Sequence, residues 1–122
     1  MPRPFGFGRE ARLTSRKDFQ RVFSDGRKVV GPSLILWHYT SSSETEAPRA
    51  ARLGLSVSAK VGKAVLRTRL KRLVREAFRH HRARIMASSD LVVYLRPGCR
   101  WTKASDAEAD LLELCSKAGI LT

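Results

Sequence analysis

The chain has 122 residues, enough for one domain that buries a hydrophobic core without disulfide staples. Lys and Arg number 24 against 11 Asp and Glu, and the resulting +13 opposes compaction and favours a polyanionic partner, nucleic acid ahead of an anionic membrane. Cys99 and Cys115 are too few and too plainly spaced for a disulfide framework or a zinc site, and read as two semi-buried thiols in a reducing compartment.

Residues 1–12 mix Pro, Gly and Arg and read as a flexible arm at the front of a single domain spanning 1–122. Met1-Pro2-Arg3-Pro4-Phe5-Gly6-Phe7-Gly8 lacks the apolar stretch of a signal peptide, and no run reaches the ~18 apolar residues of a membrane span, so a cytoplasmic location is expected. Ser15-Arg16-Lys17-Asp18 has capping-box spacing, with a hydroxyl and a carboxylate placed to satisfy free amides at a helix start. Phe19, Val22 and Phe23 follow at i, i+3 and i+4 on one face, and Gly26 stops the helix, which is expected over 15–24.

Lys28–Val30 and Leu34–Tyr39 are β-branched and aromatic, separated by Gly31-Pro32, and read as two strands. Trp37 alternates with Leu36, so only one of them faces the interior. Residues 41–48 form a polar, acidic loop. Arg52–Ser58 then sets Leu53, Leu55 and Val57 against Gly54, Ser56 and Ser58, a third strand with one greasy face and one bare face that another backbone could approach. A long helix over 64–83 and a fourth strand, Asp90–Leu95, ended by Pro97-Gly98, come next. Trp101, in the following loop, is a surface plug or a cover over the core. Ser105 and Glu108 have capping-box spacing at the start of a last helix that turns Leu111, Leu114, Cys115 and Ala118 inward and closes at Gly119. The order helix, three strands, helix, strand, helix specifies an α+β domain, with three helices packed on one small four-stranded sheet.

Lys60–Arg84 holds ten basic residues against one acid, Glu76, so +9 of the charge lies in 25 residues. At about 100° per residue, Leu66, Leu70, Leu73, Val74, Ala77, Phe78 and Ile85 share one arc of the helix. Lys71, Arg72, Arg75, Arg79 and Arg82 share the opposite arc, while Arg67 and Arg69 flank the first turn beside Gly62 and Lys63. The planar fork of Arg can hold a phosphate bidentately, and helix N-terminal amides add anion affinity. A helix face that is merely solvated mixes both signs to gain i,i+4 pairs, so ten against one points to nucleic acid.

The stretch Lys60-Val61-Gly62-Lys63-Ala64-Val65-Leu66-Arg67-Thr68-Arg69-Leu70-Lys71-Arg72-Leu73-Val74-Arg75-Glu76-Ala77-Phe78-Arg79 closely resembles the signature of the bacterial ribonuclease P protein component, roughly K-x-G-x-A-V-x-R-N-R-x-K-R-x-x-R-E-x-F-R. Leu53–Ser58 resembles that family's third strand and Leu13–Phe23 its first helix. Thr68 departs from the pattern, which has Asn there. A hydroxyl could cap the helix start, but it supplies no amide. The resemblance implies the protein subunit of a ribonucleoprotein that removes the 5′ leader from precursor tRNA. In that family the RNA subunit hydrolyses the phosphodiester with Mg²⁺ held mainly by RNA and substrate.

The resemblance also implies a ribosomal protein S5 domain 2-like fold with a left-handed crossover, and one monomer per RNA subunit. By position, Lys60, Lys63, Arg67, Thr68, Arg69, Lys71, Arg72, Arg75 and Arg79 would face the RNA subunit. Phe19, Phe23, Trp37 and Ser56 would line the cleft that holds the single-stranded leader. For Phe19 and Phe23, core packing and leader contact both stay open, since a cleft wall serves both.

A nuclease in its own right would gather acidic or His groups for metal binding or proton transfer. Asp18, Asp25 and Asp90 instead fall at a cap, a turn and a strand start, and His80-His81 at a helix end where a cation suits the dipole. No catalytic residue and no protein-borne metal site are expected. A general RNA-binding module shares the charge and architecture, and is opposed by the Arg67–Arg79 spacing and the aromatic first helix. Membrane-surface binding is opposed by the sheet's need for the helix's apolar face.

Overall fold

The structure is a computed structural model that describes residues 11–41 and 48–122. Residues 1–10 of the arm expected over 1–12, and residues 42–47 of the loop expected over 41–48, lie outside the described residues. Helix α1 (Arg16–Asp25) leads into strands β1 (Arg27–Val30), β2 (Leu34–Thr40) and β3 (Arg52–Val57); helix α2 (Ala64–His81), strand β4 (Ser89–Leu95) and helix α3 (Ala104–Lys117) follow. The sheet order is β1-β2-β4-β3. β1/β2 and β2/β4 are antiparallel, and β3 lies parallel to β4. A parallel neighbour cannot be reached by a tight turn, so α2 serves as the crossover between β3 and β4.

Alternation gives the sheet two faces, one covered by α2 and α3 and the other covered by α1 over part of its area. Leu34, Leu36, Leu53, Leu91, Val93 and Leu95 form the main core with Leu70, Val74, Ala77 and Phe78 of α2 and Ala107, Leu111, Leu114 and Cys115 of α3. On the other face, α1 inserts Val22 against Leu13 and Val92, with Phe19, Trp37 and Tyr39 packed around them. The expected contest between Leu36 and Trp37 is thus resolved: Leu36 is fully buried in the core, and Trp37 is half-buried beneath α1. Burial pushes the Cys115 thiol up to about 12. Trp101 covers the core, its Nε1–H donating to Asp110 Oδ2 at 2.6 Å.

Several local expectations are corrected. Ala11 and Arg12 belong to the fold, not to a loose arm. Ala11 is buried, Arg12 bridges to Leu53, and the Leu13 amide donates to the Leu53 carbonyl at 2.9 Å. Ser15 does cap α1, accepting from the Asp18 amide at 3.4 Å, but the Asp18 carboxylate reaches across to Arg52 at 3.3 Å. The bare face of β3 receives an aromatic ring and not a backbone: a Cβ at Gly54 would lie 2.7 Å from Phe19 Cε1 and closer still to Cζ. Leu55, at the sheet edge, is half-buried, and Leu66, at the start of α2, is exposed.

Ser105 and Glu108 form no capping box, because α3 begins two residues earlier, with Lys103 at the N-cap. The Asp106 carboxylate accepts from the Thr102 and Lys103 amides at 3.0 and 3.3 Å, and the Thr102 amide is the main cause that holds this carboxyl below its usual range. Glu108 instead meets His81 Nε2 at 2.7 Å and ties α3 to α2, so that imidazole answers a carboxylate as well as a helix end. Asp90 is fully buried, and it accepts from Arg52 Nε and Nη2 at 2.8 Å each and from Arg49 Nη2 at 2.9 Å. Burying a carboxylate requires this degree of pairing.

Candidate nucleic-acid interface

Gly62 turns the chain at φ 152° into α2, whose N-cap residue Lys63 makes no side-chain capping bond. The first-turn amides therefore face outward at the positive end of the helix dipole. Thr68 lies in the second turn and is exposed, so it does not cap the helix start as expected. Lys60, in a short 3₁₀ turn before the helix, and Lys63 are exposed beside this end.

The basic residues of α2 divide among three directions. Arg67, Lys71 and Arg75 follow at i, i+4 and i+8 on one flank. Lys71 and Arg75 line a groove of about 260 Å³ with Arg12, Thr14, Phe19, Gly54 and Leu55 at the edge of β3. Thr68 and Arg72 point straight out. Arg69 lies on the far flank, its Nη2 donating to the Thr102 carbonyl at 2.8 Å.

Two expected members of the outward arc are diverted. Arg79 pairs with Glu76, and Arg82 folds inward to donate from Nε to the Ala51 carbonyl at 2.7 Å. The free face of α2 is thus concentrated at its N-terminal three turns. Arg67, half-buried there, has an Nε shielded from solvent and unpartnered among the described residues.

The second surface is the sheet face beneath α1. Cross-strand register aligns its residues in rows. Lys28, Trp37, Val92 and Gly54 form one row, and Val30, Ile35, Tyr94 and Ser56 form the next. α1 covers the first row: Phe19 over Gly54, Val22 on Val92, and Phe23 edge-on to Trp37 with ring centroids 5.0 Å apart at 74°. The Lys28 ammonium stands 5.2 Å from the centre of the Trp37 ring.

The second row lies beyond that cluster. Val30 is 52% exposed, Ser56 is exposed, and Ile35 and Tyr94 are half-buried. Together with Phe23, itself 45% exposed, the row makes an open, partly aromatic trough. The structure therefore brings Phe19, Phe23, Trp37 and Ser56 to one face, with Phe19 mainly a packing residue and Ser56 at the open end. Sequence reasoning missed Tyr94, Ile35, Val30, Lys28 and Arg12. Alternation put Tyr94 and Val92 on one side of β4, but only the pairing of β4 with β2 and β3 sets Tyr94 between Ile35 and Ser56.

Among the described residues, no three or more His, Cys, Asp or Glu side chains gather to hold a metal ion. Asp18 and Asp90 are both held by Arg52, with Arg49 also on Asp90.

Residues 7–119 match the family model described as Ribonuclease P. The ribonuclease P protein component of Brevibacillus brevis is 35% identical over 113 residues, covering 93% of this chain and 86% of that one. The component from Alkaliphilus metalliredigens is 32% identical over 111 residues, with 91% and 96% covered. Among solved structures, the RNase P protein of Staphylococcus aureus superposes with a TM-score of 0.78 at 28% identity, covering 92% of this chain and 98% of that one. That of Thermotoga maritima gives 0.73 at 29% identity, with 87% and 96% covered.

Proposed function

The chain belongs to the ribonuclease P protein family, and from that premise we propose that it binds the catalytic RNA subunit and the 5′ leader of precursor tRNA on two separate surfaces. Lys60, Lys63, Arg67, Thr68, Arg69, Lys71, Arg72 and Arg75 meet the RNA subunit, with Arg79 at the margin. The leader lies in the trough of Phe23, Trp37, Tyr94, Ile35 and Ser56, with Phe19 as its wall. The observation that carries this reading is the meeting of two chemistries at the edge of β3. A guanidinium-rich helix face suits a structured polyanion, and a half-exposed aromatic row suits unstacked bases.

The trough holds a single strand by stacking, at about 1–3 kcal/mol per base, while cations follow the backbone. Trp37 is already fixed by the edge of Phe23 and the Lys28 ammonium, so little side-chain freedom is lost on binding. Lys71 and Arg75, in the groove between the surfaces, neutralise phosphates where leader and RNA subunit converge. That lowers the repulsion between two RNAs and hence the Mg²⁺ they need. Among the described residues no cluster of carboxylates fits a metal cage; in this reading Mg²⁺ and the hydrolytic step belong to the RNA subunit and substrate. The reading includes one copy of the chain per RNA and a cytoplasmic location; among the described residues, no helix is long and apolar enough to cross a membrane.

Reconstitution tests the proposal: 5′-end-labelled precursor tRNA and a bacterial ribonuclease P RNA at low Mg²⁺, with and without the protein. Accurate leader removal restored by the protein is the expected result. Binding to the RNA with cleavage unchanged would favour a general RNA-binding module. Cleavage by the protein alone would overturn the assignment of the chemistry to RNA.

A further inference from the structure

The outward side of α2 carries a second depression, separate from the groove at β3. Ala64, Val65, Thr68, Arg69, Arg72 and Leu73 line it, with a volume of about 670 Å³. Its apolar part is Val65, which projects 83% exposed at one end, and Leu73, half-buried at the other. Its walls are cationic: Arg69 is pinned by its bond to the Thr102 carbonyl, and Arg72 stands exposed one turn on.

The core does not use Val65, and contact with phosphates alone would be served better by a polar residue there. Net positive charge around the slot repels a basic partner and draws a polyanion. Within a nucleic acid, the part that suits an apolar contact beside guanidinium groups is a base. Arg stacks on its face, an aliphatic group covers the other side, and a hydroxyl such as that of Thr68 reaches its edge. A paired base hides both faces in the A-form stack, so the occupant must be unstacked. The uncapped amides at the start of α2 lie beside Ala64 and Val65 and suit the phosphate flanking such a base.

We propose that the Val65–Thr68–Arg69–Arg72 slot receives one unstacked nucleobase from a loop or bulge of the catalytic RNA, so that α2 reads RNA shape as well as phosphate charge. The inference rests on the reading of α2 as the face for the RNA subunit and names what that face recognises. Val65→Ala tests it without changing charge, at an exposed position where Ala favours the helix. Val65→Leu serves as the control that keeps the apolar contact.

The measurements are affinity for the catalytic RNA across a salt series and a footprint with a reagent that modifies unpaired base edges. With Val65→Ala, affinity should fall about three- to tenfold, as expected for losing aliphatic contact from about one to two methyl groups, while the log–log salt slope stays that of wild type, because no phosphate contact is lost. One unpaired nucleotide protected by wild type should regain reactivity with Val65→Ala and stay protected with Val65→Leu. Wild-type affinity and footprint in Val65→Ala would overturn the slot, as would a wild-type footprint in which no unpaired base edge is protected. Failure of the wild-type protein to bind the RNA would defeat the family-based reading, and the slot with it.

Discussion

Gly54→Ala is the sharpest probe of how α1 is seated over the trough. The new Cβ would stand 2.7 Å from Phe19 Cε1 and nearer to Cζ, whereas carbon atoms rest about 3.5–4 Å apart, so one partner must retreat by roughly an ångström. The strand cannot. Gly54 is paired to Val92 in the β4 ladder, and the neighbouring Leu53 carbonyl accepts from Leu13 at 2.9 Å. The Phe19 ring must move instead, on a helix anchored by fully buried Val22 and by the Asp18–Arg52 pair.

Overpacking costs about 1–3 kcal/mol. Phe19 is only half-buried, and Ala recovers some of the entropy Gly loses in a strand, so the low end, about 1 kcal/mol, is expected. In a domain of this size that lowers Tm by roughly 3–6 °C. Displacing α1 should also weaken the holoenzyme's preference for precursor over mature tRNA while leaving affinity for the catalytic RNA intact. Thermal unfolding by circular dichroism and paired tRNA binding measurements read both effects. A Phe19→Leu background, which removes the ring, should make Gly54→Ala neutral. Wild-type Tm and wild-type tRNA preference in Gly54→Ala would refute the seating of Phe19 on Gly54.

Arg72→Ala, at an exposed site, should leave Tm unchanged and reduce the log–log salt slope of RNA binding by about 0.7–0.9, one phosphate's worth; an unchanged slope would mean that Arg72 faces solvent in the complex. Asp90→Asn strands two guanidinium groups at once, but Arg49 and Arg52 are partly exposed and can rehydrate, so about 2 kcal/mol of stability should be lost in urea titrations. A loss below about 0.5 kcal/mol would show that the carboxylate does not hold them. His38 is almost fully buried, and burial, aided by the Arg27 charge, lowers its pKa, so the unfolded chain, which protonates below about 6.5, takes up the proton at a higher pH than the fold does. Its contribution to stability therefore falls as pH drops below that value, and His38→Phe should show a flatter Tm profile between pH 7.5 and 5 than wild type; parallel profiles would contradict the shift.

The elements legible in the sequence were those whose periodicity is local. α1, the four strands and α2 emerge from spacings of two, three and four residues, and Phe78, Leu70 and Val74 fall on the buried arc of α2 as that arc predicts. Contacts made across the fold were not legible. Arg82 belongs to the outward arc by angle, yet the Ala51 carbonyl draws it in. Leu66 belongs to the apolar arc, yet it stands too near the helix start for the sheet to cover. Ser105 and Glu108 have the spacing of a cap, but Asp106 reaches back to two amides first and sets the helix start. The row of Val30, Ile35, Tyr94 and Ser56 depends on a strand order in which β4 inserts between β2 and β3, and no local pattern encodes that order. The basic face could be read from charge alone; the trough required the register.

Leader binding and RNA-subunit binding should be separable by mutation. The decisive measurement compares affinity for precursor and mature tRNA in holoenzymes carrying wild-type protein or a Trp37→Ala, Tyr94→Ala double variant. With two stacking faces removed, at about 1–3 kcal/mol each, the preference for precursor should fall at least roughly tenfold, with affinity for the catalytic RNA and for mature tRNA unchanged. An undiminished preference for precursor in a folded double variant would contradict the trough as the seat of the leader.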